Sequence, residues 1–171
     1  MGKIITSADR RPAPNKRGRG STLVEFAIVA PVFFLLMLAI VDFGVLFWAN
    51  LTMQHAVREG ARYAVTGQSN LDPDTAQQYR YRAVIQQIKN NSMGIYDRVN
   101  PTLVVTVNSG TPQTYGDPTA YSTSMFGGPG DVVVLQLNCT WPVMTPLIQP
   151  FFSGGVYRFS VAATMRNETF P

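Results

Sequence analysis

The chain has 171 residues, 46% of them hydrophobic and only 14% charged, with a formal charge of +4. That balance argues against disorder along the whole chain. A single cysteine, Cys139, excludes an intrachain disulfide, and one histidine beside it excludes the common His/Cys zinc site and most histidine-dependent mechanisms.

The charge is uneven. Residues 1–20 hold six of the fourteen Lys and Arg (Lys3, Arg10, Arg11, Lys16, Arg17, Arg19) against one acid, Asp9, while the rest carries eight basic and nine acidic residues. The pI of about 9.5 therefore belongs to this leader and not to the body.

Leu23 to Trp48 follows and is nearly all apolar; Glu25 and Asp42 are its only ionisable members, and Phe26–Val41 carries no charge. As a helix, about 24 residues span roughly 36 Å, enough for a hydrocarbon core of about 30 Å. No later part of the chain looks large enough to bury a helix that is apolar on every side, so the segment reads as a membrane span. The basic leader keeps the N-terminus cytoplasmic and sends the C-terminal part across. Phe43, Phe47 and Trp48 suit the outer interface. The run is too long for a signal-peptide core, and no small-x-small site follows at Trp48-Ala49-Asn50. The small residue that stands out is Gly20, ahead of the span, where a cut removes the positive leader and leaves the helix attached.

Glu25 is costly inside such a helix, ~2.5–3.5 kcal/mol on insertion scales at mid-helix and less near the interface. It either snorkels to the cytoplasmic interface or meets a cation. Pro31 is expected to kink or loosen the helix near residue 27. Asp42 lies about 26 Å beyond Glu25 at 1.5 Å per residue and reads as a solvated acid at the outer headgroups rather than half of an ion pair.

From Ala49 to Val65 there is no proline, and the helix is expected to continue beyond the membrane. Ala56, Gly60 and Ala64 recur on one face as a helix-packing strip. The expected cover is the chain's own sheet, and the alternative is another subunit. Arg58, Glu59 and Arg62 read as a solvated charged face. Gly67-Gln68-Ser69-Asn70 breaks the helix. Asp72 or Asp74 is expected to cap a second helix over 74–90, with Pro73 near its first turn and a stripe of Ala76, Tyr79, Ala83, Ile85 and Ile88. Asn90–Gly94 ends it. Three runs then read as strands: Thr102–Asn108, Val132–Trp141 and Val156–Met165.

Ser109–Gly130, between the first two strands, contains Tyr115, Tyr121 and Phe126 and reads as a packed or partner-binding loop. Its end, Gly127-Gly128-Pro129-Gly130, lacks the Lys-Ser/Thr of a phosphate loop and reads as a turn. Pro142–Gly155 separates the last two strands. Cys139 reads as a small core residue, and His55 is given no role. The expected plan is α+β: a basic leader (1–20), a transmembrane helix with its extension (21–67), and an exported domain (68–171) with a short second helix and a three-stranded antiparallel sheet.

Three blocks of residues carry a resemblance. They are Val24-Glu25-Phe26-Ala27-Ile28-Val29-Ala30-Pro31-Val32, then Asp42-Phe43-Gly44, then Arg58-Glu59-Gly60-Ala61-Arg62-Tyr63-Ala64. Together they resemble the TadE family of minor pilins, or pseudopilins, of tight-adherence (Flp) pili. The likeness is dense over residues 20–67 and weaker at Ala163-Thr164-Met165-Arg166-Asn167-Glu168. Gly20 followed five positions later by Glu25 resembles the signal of prepilins. The resemblance implies a pilin-like fold and cleavage between Gly20 and Ser21 by a prepilin peptidase. It also implies that Glu25 pairs in assembly with the new N-terminal amine of a neighbouring subunit. The implied partners are other pilin and minor pilin subunits and an assembly platform with its ATPase in the bacterial inner membrane.

No catalytic residue, cofactor or metal site is expected. The basic leader is read as a topology signal beside a lipid bilayer, not as a nucleic-acid site. Two other classes are weighed against the pilin: a single-pass envelope protein whose exported domain binds a partner without polymerising, and a membrane-anchored enzyme, for which the sequence offers no site.

Overall fold

A computed structural model describes residues 18–116 and 120–169. Most of the basic leader lies outside the described residues. The chain divides into two compact units, one up to Met37 and one from Leu38 onward.

The first unit is the beginning of helix α1 (Gly18–Val65), which continues through Pro31 without a break. The proline removes one backbone hydrogen bond, and the helix-forming residues on both sides carry the helix across the gap. The segment's most apolar window has a mean hydropathy of 2.7, and none of it is buried. By length and composition it can cross a membrane.

The second unit holds one core. The rest of α1 turns Ala49, Met53, Ala56, Val57, Ala61 and Ala64 inward, a stripe at the three- and four-residue spacing of an amphipathic helix. Helix α2 (Arg80–Asn91) contributes Ala83, Val84 and Ile88, and the single-turn helix α3 (Ile95–Val99) contributes Ile95, Tyr96 and Val99. The sheet is four-stranded and antiparallel, in the order β2-β1-β3-β4, with β1 Thr102–Val107, β2 Gln113–Tyr115, β3 Val132–Pro142 and β4 Val156–Arg166. Alternate residues of β3 (Val133, Leu135, Leu137, Cys139, Trp141) point into the core, as do Leu103 and Val105 of β1 and Phe159, Val161 and Met165 of β4. The period of two puts all ten on one face.

The α+β plan is as expected, with corrections. The sheet has four strands, not three: β2 forms inside the expected loop and pairs Leu103 with Tyr115. Three residues are too few to show an alternation in sequence. The second helix begins at Arg80 instead of residue 74, because the two aspartates close turns rather than cap it. Asp72 accepts hydrogen bonds from the backbone N–H of Asp74 and Tyr79, and Asp74 accepts one from Ala76. Side-chain bonding of this kind competes with helix. Ala76 is therefore exposed and outside the stripe, and Val84 is inside it. The Ser109–Gly130 loop is packed, with Met125 and Phe126 in the core. Burial of Cys139 pushes its thiol from 9.0 up to about 12, as suits a core residue.

Candidate functional site

Gly20 lies in the first turn of α1, is exposed, and has no heavy atom within 4 Å of where a Cβ would stand. Its φ is outside the left-handed region. Among the described residues, neither backbone nor packing requires glycine there, although glycine costs a helix interior about 1 kcal/mol relative to alanine. Ser21 continues the helix, and Glu25 is exposed in the following turn. The aliphatic and aromatic side chains from Leu23 to Val41 are mostly exposed with it, Leu23, Phe26 and Ile28 among them.

Asp42 is half-buried, and its Oδ2 accepts a 3.0 Å hydrogen bond from the backbone N–H of Thr145. This corrects the reading of Asp42 as a solvated acid: it ties the β3–β4 connection to α1. Sequence offers no signal for a contact between residues 103 positions apart.

Ala56, Gly60 and Ala64 are all buried within the chain. A Cβ at Gly60 would overlap Ile88 Cγ1 and stand 2.9 Å from Ile88 Cδ1. The neighbour at Gly60 is α2 and not the sheet. Arg58 and Arg62 are exposed, and Glu59 is half-buried.

A junction that sequence reasoning missed lies at the end of α1. The Arg80 guanidinium donates to Ala64 O from Nε (3.1 Å) and Nη2 (2.7 Å), to Gly127 O from Nη1 (2.9 Å) and to Asn167 Oδ1 from Nη2 (2.8 Å). Asn167 Nδ2 donates to Phe126 O and Gly128 O, both at 2.8 Å. The Glu168 N–H donates to Val65 O. Two carbonyls at the end of α1 are thus answered by distant segments, Ala64 O by the Arg80 side chain and Val65 O by the Glu168 backbone N–H. Burial lowers the Arg80 pKa. Beside the junction, Asp131 accepts hydrogen bonds from Asn108 Nδ2 at 2.6 Å and Gly128 N at 2.7 Å, and these lower its carboxyl below the ordinary 3.8. A lowered carboxyl contributes its stabilisation above 3.8 and loses it only as the pH falls through the lower folded value.

The second unit also carries an open groove of about 540 Å³ beside Tyr81, Arg82, Lys89, Tyr96 and Tyr121. Its cations are held by the chain. Arg82 lies 4.8 Å over the Tyr79 ring and 3.2 Å from Asp74, and Lys89 lies 3.2 Å from Asp97 and 5.2 Å over the Tyr96 ring. Among the described residues, no three His, Cys, Asp or Glu cluster to hold a metal.

Residues 20–62 match the family model described as TadE-like protein. The matched stretch begins at Gly20, contains Ser21, Glu25, Asp42, Ala56 and Gly60, and stops two residues before Ala64. No curated protein and no solved structure matches the chain.

Proposed function

We propose that this TadE-like chain is a minor pilin, or pseudopilin, of a Tad-type pilus. It is inserted once in the bacterial inner membrane, with its N-terminus cytoplasmic and its C-terminal domain exported, and is processed after Gly20 by a prepilin peptidase. Its role is structural and not enzymatic, in building or priming a pilus for adherence or secretion. Its partners are other pilin and minor pilin subunits and the inner-membrane assembly platform.

The observation that carries this reading is where the family match begins: at a glycine that no packing among the described residues calls for, directly ahead of an unburied apolar helix with Glu25 at the fifth position after the cut. The alternative, a single-pass envelope protein that binds a partner without polymerising, predicts no peptidase-dependent loss of the leader.

Mass spectrometry of the membrane-extracted protein decides between them. The mature chain is expected to begin at Ser21, and Gly20→Leu is expected to accumulate as a full-length, membrane-inserted precursor. Residues 1–20 intact in piliated wild-type cells would reject the reading. Glu25→Ala separates processing from assembly. The substitution leaves Gly20 in place and makes the span more apolar, so cleavage and insertion are expected to be normal. Surface pili are expected to be lost, because the amine of the adjacent subunit is left without its counter-ion in a low-dielectric setting. Normal pili would reduce Glu25 to an interface residue, and uncleaved protein would assign it to peptidase recognition.

A further inference from the structure

We propose that the connection between β3 and β4, Val143–Phe152, is a second membrane contact that seats the C-terminal domain on the outer leaflet. The proposal rests on the single-span reading above.

Its composition is the first support. From Val132 to Tyr157 the chain has no Asp, Glu, Lys, Arg or His. Within the connection, Val143 and Ile148 are buried against the domain, while Met144, Leu147 and Phe151 are 54%, 60% and 82% exposed. Single exposed apolar residues are ordinary. Three within eight residues, on a stretch without charge, form a surface that water solvates poorly.

Placement is the second support. Thr145 donates its N–H to Asp42, and the Phe152 ring lies 6.4 Å from the Phe43 ring. Asp42 directly follows Val41, the last residue of the uncharged run. The connection is therefore tied to the stretch of α1 where the span leaves the hydrocarbon. Phe43, Phe47 and Trp48, themselves exposed on α1, are the residue types that populate a headgroup boundary.

The third support is backbone satisfaction, which apolar surroundings demand. The N–H groups of Ile148 and Gln149 bond to Thr145 O, those of Phe151 and Phe152 bond to Ile148 O and Gln149 O, and the Gln149 side chain donates to Val143 O. The connection thus carries its own hydrogen bonds into the interface, where apolar side chains sink about 5–10 Å. A protein partner is the lesser fit, because protein interfaces carry a polar, hydrogen-bonding rim, whereas the connection has no charged residue of its own and the Asp42 carboxylate beneath it is already engaged by the Thr145 N–H.

The test uses the full chain in phosphatidylglycerol–phosphatidylethanolamine vesicles, at a protein-to-lipid ratio that leaves most vesicles with one copy. Single cysteines replace Phe151, Phe33 and Asn90 in turn and carry an environment-sensitive dye. The native Cys139, buried and with a raised pKa, stays unlabelled in the unsubstituted control. With nitroxide placed high on the acyl chain, the dye at 151 is expected to emit to the blue and lose about half its intensity. The dye at 90 is expected to stay in water. Blue-shifted emission at 33 without quenching at 151 would overturn the loop contact and leave the span intact; water-like emission at 33 would overturn the span. If the dye at 151 becomes dry only at high protein density, the surface binds a second copy and the lipid assignment is wrong.

Discussion

Asn167→Ala is expected to destabilise the C-terminal domain by about 3 kcal/mol, because a buried acceptor left without its donor costs about 1–3 kcal/mol and this substitution strands several groups at once. Asn167 is 3% exposed. Its amide serves Phe126 O and Gly128 O, and its Oδ1 holds one arm of Arg80. Without it the two carbonyls lose these donors, and the Arg80 arm loses a contact that helped hold it on the end of α1. For a domain of this size the loss corresponds to a melting point roughly 10 °C lower, read by thermal unfolding of the full chain in detergent. Asn167→Asp isolates the two arms: it keeps an acceptor for Arg80, removes both donors, and sets a carboxylate against two carbonyls. A stability of Asn167→Ala within about 0.5 kcal/mol of the parent, the range of ordinary surface substitutions, would mean that the junction contributes nothing beyond what water supplies.

Gly60→Leu is expected to prevent α2 from docking, and Gly60→Ala to cost about 1–3 kcal/mol as an overpacked core site. In an isolated helix the alanine would help by about 1 kcal/mol. The sign is reversed here because the added methyl would occupy the space of Ile88 Cγ1, and Ile88 is fully buried. Ile88→Ala alone leaves a cavity and costs about 2–5 kcal/mol. Combined with Gly60→Ala it is expected to cost less than the two single changes together, by at least about 1 kcal/mol of coupling. Denaturant unfolding of the four proteins measures that coupling. Strict additivity, or a Gly60→Ala protein as stable as the parent, would show that the two helices do not approach as closely as the structure has them.

How far the sequence led can be judged from particular elements. The three long strands were legible to within a residue of their ends, because each is long enough for its alternation to emerge. The end of α1 at Val65 was legible from Gly67. Strand β2 was not legible, since three residues carry no period. The start of α2 was misplaced because an aspartate ahead of a helical stripe reads the same whether it caps the helix or closes a turn. The junction was invisible for a deeper reason: Ala64, Arg80, Gly127 and Asn167 have no local pattern, and only the folded chain brings them together. Asp42 failed in the same way, its partner lying far along the chain. Gly20, Ser21 and Glu25 were picked out by motif, and the fold adds one fact to them, that among the described residues Gly20 has no packing reason to be glycine.

The junction also has a kinetic consequence. Asn167 follows every strand in chain order, and its bond to Arg80 closes a loop of 87 positions. Closing a long loop costs entropy that is repaid only when the distant contact forms. The carbonyls of Val65, Phe126 and Gly128 therefore lack the donors supplied by Glu168 and Asn167 until the chain beyond β4 is in place. On the topology proposed above, α1 inserts and the domain follows it out, so the domain cannot be completed until its last residues have crossed. Its fold is latched by what arrives late, so on that proposed topology a partly exported domain stays loose enough to keep moving.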